Sequence, residues 1–154
     1  MTIEQTEVAS PEATQERAQP AFAAVDLFLQ NLVDSVNQYE SEFAVTLQVS
    51  GLLVTGTLIA SAIYFEEFSK LFAQGANDVE SARAPILAIA KSARQSMTDP
   101  LVPLPQFIHL RGARFYDAAG NSLPGSEEGL LWRGRLTEVH GFFWGKLERQ
   151  SPQQ

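Results

Sequence analysis

FAVTLQVSGLLVTGTLIASAIYF, residues 43–65, is a run of 23 residues without a single charge, and its internal rhythm decides between a membrane span, a buried helix and a sheet. At 1.5 Å per residue a helix of this length would rise about 34 Å, enough to cross a hydrocarbon core of about 30 Å. The periodicity points elsewhere. Phe43, Val45, Leu47 and Val49 alternate with Ala44, Thr46, Gln48 and Ser50, the period of two that a half-buried strand needs. Gly51 breaks the run. Beyond it Leu53, Thr55, Thr57 and Ile59 face one way and Leu52, Val54, Gly56, Leu58 and Ala60 the other, in a stretch rich in β-branched residues. A hairpin that stays out of the membrane is expected, with Gly51 as its structural turn and at positive φ.

Outward from this hairpin the period changes. On its N-terminal side, residues 20–38 place Phe22, Val25, Phe28, Leu29, Leu32, Val33 and Val36 on one helical face, with Asp26, Gln30, Asp34 and Asn37 opposite. On its C-terminal side, residues 64–74 put Phe65, Phe68, Leu71 and Phe72 together, Glu66 and Lys70 are spaced to pair at i,i+4, and Gly75 ends the helix. Residues 77–94 are Ala-rich and helical in propensity, with Pro85 either starting the main part or kinking it. Three prolines in residues 97–106 make an extended connector.

The remainder alternates strand, loop, strand, turn and strand in FIHLRGARFYD, DAAGNSLPGSEEG, LLWRGRLTEV, HG and FFWGKLE, with Gly120-Asn121 and His140-Gly141 as turn chemistry. The fold class is α+β: an N-terminal amphipathic helix, then a hairpin and a three-strand meander. Together they form a bent antiparallel sheet or small barrel of about five strands, with helices inserted between the second and third.

The chain has 154 residues, 45% apolar, enough for one core. The domain is expected over residues 20–149, after a disordered acidic tail at 1–19 and before a frayed end at 150–154. No cysteine is present, and nothing at the N-terminus reads as a signal peptide, so a cytoplasmic location is expected. The net charge of −7 argues against nucleic acid and anionic lipid as partners. Charge is unevenly spread: residues 1–20 carry Glu4, Glu7, Glu12 and Glu16 against Arg17, whereas from Phe107 onward bases outnumber acids by one. Copies could attract one another, or bind an acidic surface, through such a distribution, although solvated surface charge is the plainer expectation.

Catalytic arrangements fail for want of parts. With only His109 and His140, thiol and multi-histidine metal chemistry is excluded. His109 alternates with Ile108 and Leu110 and reads as a solvent-facing or hydrogen-bonded strand residue, His140 as turn polarity, and Glu66 and Glu67 point to different helix faces. No phosphate loop or nucleophile elbow is present, so no enzyme activity and no cofactor or metal is expected. Arg133 and Arg135 share one strand face, with Trp132 and Leu136 on the other. With Arg111 and Arg114 they are candidate partner contacts for carboxylates; the plainer expectation is cross-strand pairing with Glu138, Glu148 or Asp117.

Taken in order, VTLQVSGLLVTGTLIASAIYFEEFSKLFA, FIHLRGARFYDAAGN and GLLWRGRLTEVHGFFWGKL resemble the gas vesicle accessory proteins of the U type. The resemblance rests on the hairpin, the YFEEF helix at 64–68, the IHL strand at 108–110, the LWRG strand at 131–134 and the GFF strand at 141–143. It implies a small, non-enzymatic protein associated with gas vesicles, the protein-shelled buoyancy organelles of some bacteria and archaea, that influences their formation or clustering. Its partners would be gas vesicle proteins or itself, as a homo-oligomer. The helix-then-five-strand order also resembles an Sm-like small barrel, whose alternative implication is a binding module unrelated to gas vesicles.

Because nothing in residues 1–19 is patterned for burial, deleting them is expected to leave the thermal midpoint almost unchanged. A large fall in melting temperature would show that the segment packs.

Overall fold

Ser50 and Gly51 are the two residues between β1 (Phe43–Val49) and β2 (Leu52–Leu58), and both have positive φ, 50° and 82°. Two left-handed residues closing a Val49–Leu52 pair form the two-residue hairpin turn whose twist matches that of the flanking strands. The structure is a computed structural model that describes residues 24–74, 78–96, 103–123 and 128–148. The expected tail, Gly75, residues 97–102 of the connector and the C-terminal end lie outside these.

The hairpin is the middle of a five-stranded antiparallel sheet with β3 (Phe107–Tyr116), β4 (Leu130–Arg135) and β5 (Val139–Trp144), in the order β4-β3-β2-β1-β5. The fold is α+β, with α1 (Leu27–Tyr39) ahead of the sheet and α2 (Ser61–Ala73) and α3 (Val79–Ser96) between β2 and β3. The expected meander is corrected in its last step. His140 and Gly141 form no turn but lie within β5; the break falls at a single 3-10 turn, Leu136–Glu138, after which the chain pairs with β1 instead of β4. The local cause is Leu136, which is fully buried in the core and whose N–H donates to the Gln106 carbonyl at 3.0 Å. Register irregularities between Leu110 and Ala113, Thr55 and Thr57, and Gln48 and Val49 add the local twist by which such a sheet bends.

One sheet face meets α1. Leu29, Val33 and Val36 pack with Val45, Leu47, Val54, Leu58, Ile108, Leu110 and Leu136, and each such side chain contributes roughly 1.5–3 kcal/mol when fully buried. The helix begins later than its apolar pattern suggests. Asp26 is its N-cap, accepting from the Phe28 and Leu29 amides at 2.9 and 3.2 Å, so it is a terminus and not part of a polar face. Two expected polar-face residues are buried. Gln30 donates to the Pro105 carbonyl at 2.9 Å, and Asn37 accepts the Ser61 amide at 2.9 Å, satisfying an N-terminal N–H of α2 that has no cap of its own. Phe28 is 65% exposed and stacks on Phe142.

Thr46 and Thr55, opposite each other on the second face, are also buried. Their hydroxyls lie 2.9 Å apart; Thr46 donates to the Gly145 carbonyl at 2.8 Å and Thr55 accepts the Leu147 amide at 2.9 Å, so the segment after β5 covers them. Further corrections concern the inserted helices. α2 starts at Ser61, and Phe68, Leu71 and Phe72 are exposed, whereas Ala62, Tyr64, Ser69 and Ala73 are buried. Pro85 lies inside α3, whose start is capped by Asp78 accepting the Ser81 amide at 3.2 Å. Among the described residues no helix is long and apolar enough to cross a membrane.

A Cβ at Gly51 would meet no atom within 4 Å, so replacing it tests backbone conformation alone. Gly51→Val is expected to lower stability by roughly 1 kcal/mol or more, read as a reduced melting temperature, because a β-branched residue is strained at positive φ. A variant that melts with the wild type would show the strain to be absent.

Candidate functional site

The YFEEF stretch of α2 lies against the second face of β3, and each of its residues has a defined contact. Tyr64 packs on His109 with ring centroids 4.6 Å apart, and Phe65 meets the same imidazole edge-on at 5.9 Å. Glu66 pairs with Arg94 of α3, which also reaches Glu40 at 2.6 Å. Glu67 pairs at 2.8 Å with Arg111 of β3, which also holds Glu42 at 2.5 Å. Phe68 stacks on Tyr64. The i,i+4 arrangement of Glu66 and Lys70 is therefore secondary: the hydrogen bond from Arg94, ahead of its charge and that of Lys70, is what holds the Glu66 carboxyl below its usual range.

His109 corrects the sequence expectation most sharply. It does point away from the α1 core, as its alternation with Ile108 and Leu110 requires, but α2 covers that face and leaves the residue 3% exposed. Neither ring nitrogen has a hydrogen-bond partner among the described residues. Burial, and secondarily the nearby Arg133 charge, lowers its pKa to about 3, so the ring is neutral at pH 7. Burial likewise raises the Tyr64 phenol, which stays protonated.

The four candidate arginines separate. Arg111 is committed to its two glutamates, which raise its pKa. Arg114 is exposed on β3 opposite Thr55. Arg133 and Arg135 are exposed on β4, pairing in register with His109 and Phe107, and both guanidinium groups lie over the Phe107 ring, 3.4 and 5.4 Å from its centroid. The expected pairing with Glu138, Glu148 or Asp117 is not what holds them. Neither forms an ion pair among the described residues, and Asp117 instead accepts from the Ala119 and Asn121 amides at 2.9 and 2.8 Å in its own turn. On the other face of β4 the Trp132 indole lies across Gly134, where a Cβ would come within 2.3 Å of the ring; LWRG is thus a packing motif with a cationic outer side. The sequence pattern did not disclose the Phe107 platform, which depends on the β3–β4 register.

Elsewhere, β5 exposes Phe143 and Trp144, the latter edge-on to Phe43. A groove of about 510 Å³ lies between the start of α1 and the β5 side, lined by Ala24, Asp26, Leu29, Thr137, His140 and Phe142. Among the described residues no cluster of three or more histidine, cysteine or acidic side chains could hold a metal ion.

His109 is expected to weaken the fold. Its folded pKa lies below the unfolded value of 6.5, so the unfolded chain binds the proton first. Stability is complete above pH 6.5 and is lost as pH falls toward 3, with a slope approaching about 1.4 kcal/mol per pH unit. His109→Leu removes both this dependence and the unsatisfied nitrogens, so it is expected to raise stability by about 1 kcal/mol at pH 7 and more at pH 5. Denaturant midpoints at the two pH values check this; a variant less stable than the wild type at pH 5 would contradict it.

Neither curated proteins nor solved structures give a match to the chain. A family model described as "Gas vesicle protein GvpU-like" matches residues 26–147, from the Asp26 cap of α1 to the Leu147 amide that closes over Thr55. Its span takes in the whole sheet and all three helices, and with it the YFEEF, IHL, LWRG and GFF stretches whose packing is described above. The chain belongs to the GvpU-like family of gas vesicle proteins.

Proposed function

We propose that this chain is a non-enzymatic accessory protein of gas vesicles that acts in the cytoplasm and influences vesicle formation or clustering through self-association or contacts with other gas vesicle proteins. The family match over residues 26–147 is the observation that carries this reading. The architecture is compatible with it: YFEEF, IHL and LWRG pack α2, β3 and β4 together, while Arg133 of LWRG and Phe143 of GFF are left on the surface for partners. That surface presents the Arg133–Arg135 pair on β4 and, separately, exposed aromatic groups on α2 and β5. Gathering large particles requires at least two contacts per functional unit, because a monovalent binder coats particles without linking them. A homo-oligomer, or an assembly that grows with concentration, meets that requirement.

Deleting the gene in vesicle-producing cells is expected to change vesicle yield or clustering, imaged under expression conditions. The double variant Arg133→Glu/Arg135→Glu should reproduce part of that phenotype while keeping its fold by circular dichroism. An unchanged vesicle arrangement in the deletion strain would discard the vesicle role; a normal phenotype for the double variant would discard only the arginine surface.

A further inference from the structure

β4 and β5 are the two ends of the sheet, each paired on one side only among the described residues, and they are the two strands without a buried residue. A free edge presents a row of unpaired N–H and C=O groups, which proteins ordinarily protect with charge, with proline or with a covering segment. β4 carries Arg133 and Arg135. β5, VHGFFW, has no acidic residue, lysine, arginine or proline, and its Phe143 and Trp144 are 47% and 53% exposed. The register irregularity opposite β5 falls between Gln48 and Val49, so residues 142–144 are regular strand. The segment that follows leads away from the edge: Gly145 turns at φ 101°, its carbonyl accepts from Thr46, and the Leu147 amide reaches Thr55 on the second face of the hairpin.

The hydrogen bonding to β1 decides which groups face outward. Gly145 donates its N–H to the Ala44 carbonyl at 2.8 Å, and Trp144 stands opposite Val45. In an antiparallel ladder a residue bonded to its neighbour alternates with one that turns its N–H and C=O the other way, so Phe143 bonds β1 while Phe142 and Trp144 direct theirs to the free edge. The side chains of Phe142 and Trp144 share the α1 face with Leu47 and Val45, and Phe143 lies on the second face with Thr46.

A strand edge is completed by another strand. β1, β2 and β3 are paired on both sides, which leaves β4 and β5 of a second copy as the described strands that can add to it. Setting β4 there would further cover Arg133, whose charge partial burial already disfavours, and β5 has no carboxylate to compensate it. Setting β5 against itself brings no charge and places aromatic groups on aromatic groups. With a two-fold axis at Phe143, the outward groups of Phe142 meet those of Trp144 of the second copy, and the two Phe143 side chains become a closely spaced non-hydrogen-bonded pair, an arrangement in which cross-strand aromatic groups stabilise a sheet.

We propose that β5 is the self-association edge of this protein: two copies pair antiparallel through Phe142–Trp144 about a two-fold axis at Phe143, joining two five-stranded sheets edge to edge. This names the surface for the self-association in the proposed function, and rests on that reading for its role at vesicles. An isologous dimer of this kind carries every remaining surface twice, the Arg133–Arg135 pair included, and so supplies the two contacts that linking particles requires.

The test mixes isotope-labelled and unlabelled full-length chains at about 1 mM total, a concentration at which even a millimolar dimer is populated. Isotope-filtered Overhauser spectra are expected to connect the Phe143 α-protons of the two copies, and Phe142 with Trp144 of the second copy. Sedimentation should show a dimer whose fraction falls on dilution. Phe143→Lys sets like charges across the axis and should weaken the dimer by about tenfold or more, with the circular dichroism of the monomer kept. Phe72→Lys, on the exposed side of α2, should leave the dimer as it is. A monomer at about 1 mM, or filtered contacts that join β5 to β4 or run through α2, would overturn the proposal. So would a dimer untouched by Phe143→Lys, or β5 edge contacts that come from residues 1–23 of the same chain. Should Phe143→Lys fail to fold, the filtered spectra of the wild type decide alone. An absent vesicle phenotype on gene deletion would leave the dimer standing, and a monomer would leave the deletion test of the vesicle role unaffected.

Discussion

Three residues, Leu136 to Glu138, join two strands that lie at opposite edges of the sheet, and the rest of the structure depends on that constraint. A flat sheet of five strands spaced about 4.8 Å apart would hold its edges roughly 19 Å away from each other, farther than the three intervening residues span as one turn of 3-10 helix. The sheet therefore bends until the end of β4 approaches the start of β5. Bending creates an inner face for α1 to fill, and the buried Leu136 closes the corner. It also sends the segment after β5 back across Thr46 and Thr55, and places α2 against the outer side of β3.

Apolar burial is the main stabilising contribution. The four ion pairs of Arg94 and Arg111 involve side chains that are 29–41% exposed, and such pairs are worth little individually. Their value is geometric: they tie α3 to α2 and to the end of α1, and β3 to α2 and the approach to β1. Buried Gln30, Asn37, Thr46 and Thr55 all have partners. His109 does not. Arg83 Nε is likewise buried without a partner among the described residues, but the imidazole, with both nitrogens unsatisfied, lies at the α2–β3 contact beside Arg133.

The hairpin was legible because its information is local: a period of two on each side of Ser50-Gly51 specifies both strands and the turn. Arg133 and Arg135 on one face followed from the same period, and the resemblance carried by YFEEF, IHL, LWRG and GFF led to the family. What escaped was set by distant partners. The alternation assigns Thr46 and Thr55 to strand faces but carries no sign that residues 145–147 cover them, and that of His109 gives its side of the strand without any sign that α2 lies over it. His140-Gly141 carries turn chemistry within a strand, because the pairing of β5 with β1 depends on residues about a hundred positions apart. Asp26, buried Gln30 and Asn37 look like a polar helical face but serve as a cap and as two links to other elements. The Phe107 platform exists only once β3 and β4 are in register.

The bent sheet is tested most directly by cross-strand proton contacts at its β5 edge. Nuclear Overhauser spectra of the full-length protein should connect Thr46 with Phe143 and Leu47 with Phe142, the β1–β5 partners, with no ladder of contacts between β4 and β5. A β4–β5 ladder turning at His140-Gly141, with no β1–β5 contacts, would restore the simple meander and contradict the account.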